Sequence, residues 1–70
     1  MTWEELVAKA KEIGYIYERI HGIVGRLYCQ ENDLSFYEDG DIYVYADWDD
    51  WLVAKDRTPD QMWQIMEALR

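Results

Sequence analysis

Residues 34–46 read LSFYEDGDIYVYA, and the register of this stretch decides the fold. Two apolar-rich runs flank an acidic turn that contains Gly40. Alternation with a period of two is the pattern of a strand that buries one face. A two-residue Asp39-Gly40 turn would oppose Glu38 to Asp41 and split Leu34 and Phe36 from Ile42 and Val44. A three-residue loop of Glu38-Asp39-Gly40, with Gly40 left-handed, opposes Phe36 to Ile42 and Leu34 to Val44 instead. One side then carries Leu34, Phe36, Ile42, Val44 and Ala46. The other carries Ser35, Tyr37, Asp41, Tyr43, Tyr45 and Asp47. A one-residue slip would invert every side chain, so burial of the aliphatic set selects the three-residue loop.

Downstream, DWDDW at residues 47–51 falls where the second strand must turn, and WLVAK at 51–55 supplies a third strand. With residues 48–50 as the loop, Asp47 faces Trp51, Tyr45 faces Val53 and Tyr43 faces Lys55. Leu52 and Ala54 then join the aliphatic side. Trp48, flanked by Asp47 and Asp49 at the tip, is expected in solvent.

Helices close the chain at both ends. Thr2 and Glu5 form a capping box, and Trp3, Leu6, Val7, Ala10 and Ile13 share one helical face. Gly14 suits the residue just past that helix. At the other end Thr58 is an N-cap, Pro59 fits the first helical position and Gln61 completes a second box. Met62, Ile65, Met66 and Leu69 make its buried stripe, with Trp63 at the edge.

Residues 15–30, YIYERIHGIVGRLYCQ, admit two readings. Ile13, Tyr17, Ile20, Val24 and Leu27 continue a helical spacing. Gly14, Gly22 and Gly25 oppose it, each costing about 1 kcal/mol inside a helix. The Ile, Val and Tyr content favours a loop or short strand at 15–20 and a strand near 24–29. The expected architecture is a single α+β domain over residues 1–70: a helix, an antiparallel sheet of three strands or four, and a helix, with both helices on one sheet face.

The helix–three strands–helix order is similar to that of the double-stranded RNA-binding domain. The likeness lies in element order alone. The second helix opens TPDQMWQ, without the basic patch of that family, so none of the family's binding residues carries over. FYEDGDIY and RTPDQMWQIMEALR resemble parts of small uncharacterised bacterial and prophage-type proteins, a resemblance that implies no activity.

The net charge of −8 is concentrated. Residues 1–30 balance Glu4, Glu5, Glu12 and Glu18 against Lys9, Lys11, Arg19 and Arg26. Residues 51–70 balance Asp56, Asp60 and Glu67 against Lys55, Arg57 and Arg70. All of the excess lies in Glu31, Asp33, Glu38, Asp39, Asp41, Asp47, Asp49 and Asp50. Such a balance argues against direct binding to nucleic-acid phosphates, which takes clustered Lys and Arg. Cys29 is the only cysteine, so no intrachain disulfide forms. No apolar run approaches the roughly 20 residues of a membrane helix, and MTWEELVAKAKEIG lacks the apolar core of a secretory signal. A cytoplasmic location with no membrane partner is the expectation.

Chemistry finds little support. Asp47, Asp49 and Asp50 offer oxygen ligands, but the calcium-loop spacing fails, with Leu52 where Gly belongs and Thr58 where Glu belongs. One Cys and one His serve zinc poorly. Cys29, His21 and Ser35 form no nucleophile motif. No metal, cofactor or catalytic residue is assigned, and a non-enzymatic role is expected. The leading reading is a protein-interaction domain, with another protein or a second copy as partner. Its acidic aromatic surface is Tyr37, Asp41, Tyr43, Tyr45, Asp47, Trp48, Asp49 and Asp50. The competing reading is an acidic decoy that mimics DNA and occupies a nucleic-acid-binding protein.

Overall fold

The computed structural model describes all 70 residues. Helix α1 spans Trp3–Glu12, followed by strands β1 (Ile16–Ile20), β2 (Val24–Tyr28), β3 (Leu34–Tyr37), β4 (Ile42–Ala46) and β5 (Asp49–Ala54), then helix α2 (Pro59–Ala68). The strands form one antiparallel meander in chain order. The fold is therefore α+β, but its sheet has five strands where three or four were expected. Residues 15–28 make a full hairpin because His21 and Gly22 both adopt positive φ, 53° and 68°, and turn the chain. Five strands also depart from the element order on which the likeness to the double-stranded RNA-binding domain rested.

Both helices begin as their sequences specify. Thr2 Oγ1 accepts the Glu5 N–H at 3.1 Å while Glu5 Oε1 accepts the Thr2 N–H at 2.8 Å. Thr58 and Gln61 repeat the exchange at 3.2 and 2.9 Å. Each box satisfies donors that a helix start leaves free, and each is worth about 1 kcal/mol. Gly14 follows α1 with φ 101°, the left-handed residue that ends the helix.

The β3–β4 hairpin has the register expected from its sequence. Leu34 opposes Val44 and Phe36 opposes Ile42. Gly40, at φ 98°, donates to the Tyr37 carbonyl at 3.0 Å, and Tyr37 donates back to the Asp41 carbonyl at 2.9 Å. The Gly40 carbonyl accepts the Arg57 N–H at 2.9 Å, which ties this turn to the start of α2.

The helix-facing side of the sheet can be read straight across the strands: Tyr17, Leu27, Phe36, Ile42 and Ala54 lie in one row. Leu6 and Ala10 of α1 and Met62 and Met66 of α2 cover that row and complete the core. Both helices thus lie on one face. Leu69, expected in the buried stripe, is half exposed because it caps α2 beyond the last turn that rests on the sheet.

The β4–β5 hairpin corrects the expected register. The turn is the two residues Asp47 and Trp48, with φ 53° and 66°, the positive-φ pair of a type I′ hairpin turn. Tyr45 therefore opposes Asp50, Val44 opposes Trp51 and Tyr43 opposes Leu52. The pairing then slips, so that Ile42 opposes Ala54 and Val53 is the extra residue of a bulge. Ala54 reaches the core side, as its apolar character requires. Leu52, expected beside it, points to the other face, because the bulge between them inverts the alternation. Trp51 lies on the helix side, and its indole N–H donates to the Ala46 carbonyl at 3.0 Å.

Candidate functional site

No helix covers the second face of the sheet. Its middle row runs Ile16, Tyr28, Ser35, Tyr43, Leu52, one residue from each strand and none charged. Ile16 and Leu52 at the two ends are 43% and 44% exposed. A second row holds Glu18, Arg26 and Tyr37. Tyr45 and Asp50 pair in a third.

Arg26 organises the centre of this face. Its guanidinium pairs with the Glu18 carboxylate, lies over the Tyr28 ring at 4.4 Å, and its Nε donates to Ser35 Oγ at 3.1 Å. Ser35 is consequently buried although it belongs to the uncovered face. The Tyr37 and Tyr43 rings meet edge to face at 5.3 Å. Partial burial among these groups raises the Tyr37 phenol above its usual range, and the nearby Arg26 charge offsets part of that rise. Fixed aromatic and ion-paired side chains make a flat surface with little conformational freedom left to lose on binding.

The eight nominated residues do not form one patch. Tyr37, Tyr43, Tyr45 and Asp50 lie on the uncovered face. Asp41 adjoins it at the β3–β4 turn. Asp47 and Trp48 form the β4–β5 turn at the opposite end of the strands, with Trp48 92% exposed. Asp49 follows the parity of Trp51 and sits on the helix side, where its carboxylate accepts the Asp50 N–H at 2.8 Å. In a meander, successive turns alternate between the two ends of the sheet. The acidic segment is divided accordingly: Glu38, Asp39 and Asp41 at one end, Glu31, Asp33 and Asp47 at the other.

Sequence reasoning missed Ile16, Arg26, Tyr28 and Leu52 on this face. The first three sit in the β1–β2 hairpin, whose alternation is visible only once those residues are read as strands. Leu52 was hidden by the bulge.

Two shallow grooves flank the helices. One, of about 290 Å³, includes Tyr15, Cys29, Asn32 and Met66. There the Asn32 amide donates to Tyr15 Oη at 3.2 Å and to Cys29 Sγ at 3.3 Å, while its carbonyl oxygen accepts the Leu34 N–H at 3.0 Å. Burial raises the Tyr15 phenol, and the Asn32 hydrogen bond opposes the rise. Asn32 is fully engaged in holding the β2–β3 loop. The other, of about 350 Å³, lies beside Trp3, Tyr17 and Lys11. The Trp3 indole N–H beneath it is buried without an acceptor. No group of three or more His, Cys, Asp or Glu side chains is placed to hold a metal ion. No helix is long and apolar enough to cross a membrane. No family model, characterised protein or solved structure matches the chain.

Proposed function

We infer that this chain is a non-catalytic protein-interaction domain that docks through its uncovered sheet face, with Trp48 extending the surface at one corner. The observation that carries the reading is the uncharged row Ile16–Tyr28–Ser35–Tyr43–Leu52, left without a covering layer. A sheet with one helical layer can leave its second face to water, but such faces are then mostly polar. This one presents aromatic and aliphatic side chains rimmed by carboxylates, the composition favoured where proteins meet. The division of the acids between the two ends of the sheet supports docking over DNA mimicry, which calls for carboxylates ranged along one extended surface.

Alanine replacements at Tyr43, Tyr45 and Trp48 test the reading. Each variant is checked for native circular dichroism, then compared with the parent protein for crosslinked partners identified by mass spectrometry. Loss of the same partner in the folded variants is the expected result. Folded variants that keep every partner would refute the docking face.

A further inference from the structure

We propose that the open edge of β1 binds an extended segment of another protein, which joins the sheet as an antiparallel sixth strand with apolar side chains in the groove beside α1. This site is separate from the uncovered face. It rests on the direction of the backbone groups in β1, on the contrast between the two sheet edges, and on the groove.

The sheet order leaves β1 hydrogen-bonded to β2 on one side and to no strand on the other. The Ile20 carbonyl accepts the Ile23 N–H at 3.0 Å, so the backbone groups of Ile20 turn toward β2. Gly25, which opposes Arg19, donates its N–H to Glu38 Oε1 at 3.1 Å, and its carbonyl accepts the Glu38 N–H at 2.9 Å. Both Gly25 groups therefore point to β3 and leave Arg19 without a bond to β2. Direction alternates along a strand, so Tyr17 and Arg19 each aim an N–H and a carbonyl at the open edge. Two residues of an antiparallel neighbour, spaced two apart, satisfy all four groups. The template is bounded at both ends. The Tyr15 N–H is taken by the Ala10 carbonyl at 2.9 Å, and His21 turns the chain at positive φ.

The opposite edge lacks this regularity. β5 is bulged at Val53, and its Asp50 N–H is taken by the Asp49 carboxylate at 2.8 Å. Bulges and edge charges are the devices that blunt strand pairing. β1 keeps one register with β2 from Ile16 to Ile20.

The side chains of Tyr17 and Arg19 share the helix side of the sheet. With Trp3, Val7 and Lys11 of α1 they wall a groove of about 350 Å³. Sites for small ligands span roughly 300–1,000 Å³. Residues of an added strand opposite Tyr17 and Arg19 lie on the same side and enter this groove. Its charge is balanced: Lys11 and Arg19 stand against Glu4 and Glu38, and Glu38 is already engaged by the Gly25 N–H. The rings of Trp3 and Tyr17 and the Val7 methyls supply the remaining contact. Such walls select uncharged, apolar side chains at alternate positions, while the backbone bonds supply affinity.

A displayed library of random decapeptides, selected on the full chain, provides the probe. Enriched peptides are synthesised and titrated into nitrogen-15-labelled protein. They are expected to carry apolar residues at alternate positions, to shift the Tyr17 and Arg19 amides and to slow their hydrogen exchange. Arg19→Pro removes one outward donor without touching the bonds to β2, and should weaken binding about tenfold in protein that circular dichroism shows to be folded. Backbone N-methylation of the peptide, one residue at a time, repeats the test without altering the protein. A loss of about tenfold at the two residues opposite Tyr17 and Arg19, with no loss at the residue between, is the expected pattern. Leu52→Lys, on the uncovered face, should bind the peptides as the parent does. Selection that enriches no peptide, peptides that Leu52→Lys releases, or binding insensitive to N-methylation overturns the proposal. So does a dimer of this chain that Arg19→Pro dissolves, because the edge would then belong to a second copy. The docking face fails separately, on Leu52→Lys keeping every crosslinked partner.

Discussion

Replacing Trp48 by glycine should stabilise the protein, an unusual outcome for removal of the largest side chain. Trp48 is 92% exposed and has almost no packing to lose. Its φ of 66° lies in the left-handed region, which costs a side-chain-bearing residue roughly 1–2 kcal/mol and glycine almost nothing. Glycine gives part of this back through the larger entropy of its unfolded chain, about 0.4–1 kcal/mol. The balance is a gain of about 0.5–1 kcal/mol. For a domain of this size that raises the melting temperature by roughly 2–8 °C. Urea and thermal denaturation followed by circular dichroism give the value directly. The same substitution should reduce capture of any partner that uses this corner. A loss of stability greater than about 0.5 kcal/mol would refute the reasoning, because it would mean that the indole packs against the domain.

Gly25→Ala should destabilise by about 1–3 kcal/mol, since the added carbon would sit 2.9 Å from Tyr17 Cε1 and 3.1 Å from Trp3 Nε1, so that a ring packed on the strand must shift. The midpoint of urea unfolding measures this, and an unchanged midpoint would show that the rings shift freely. Stability should also decline in alkali. Tyr15 and Tyr37 have phenols raised above the usual value of 10.0 by burial, so the unfolded chain loses its phenolic protons first. Their contribution is intact below about pH 10 and is lost as pH rises through the raised values. Tyr37→Phe should make the decline shallower, and an identical pH profile would exclude Tyr37 as a contributor.

The parts of the fold that were legible in the sequence are those where local chemistry and burial agree. Both helices are announced by capping boxes at Thr2 and Thr58. The β3–β4 register follows from the need to keep Leu34, Phe36, Ile42 and Val44 together, with a glycine where the loop demands positive φ. The β4–β5 register was illegible because the residue that takes the second left-handed position is Trp48. Sequence rules reserve that place for Asn or Gly. Tertiary structure overrides the preference, since only the tighter turn followed by a bulge at Val53 brings Ala54 under the core while releasing Leu52. For the β1–β2 hairpin the obstacle was a double pattern: Tyr17, Ile20, Val24 and Leu27 satisfy helical spacing, whereas Tyr17 and Leu27 lie side by side in the sheet.

The candidate surface was half visible for the same reason. Tyr37, Tyr43 and Tyr45 could be placed once the β3–β4 register was known. Ile16, Arg26 and Tyr28 become neighbours of those tyrosines only when β1 and β2 extend the meander. The acidic segment looked like one surface because its residues are consecutive. Alternating turns carry Glu31, Asp33, Glu38, Asp39, Asp41 and Asp47 to opposite ends of the sheet, and β5 sends Asp49 and Asp50 to opposite faces.

The central claim is that the uncovered row Ile16–Tyr28–Ser35–Tyr43–Leu52 is where the protein makes contact. The most direct test compares the Leu52→Lys and Tyr43→Ala variants, each checked for native circular dichroism, with the parent protein for crosslinked partners identified by mass spectrometry. Loss of the same partner in both folded variants is the result predicted. Folded variants that keep every partner would contradict it.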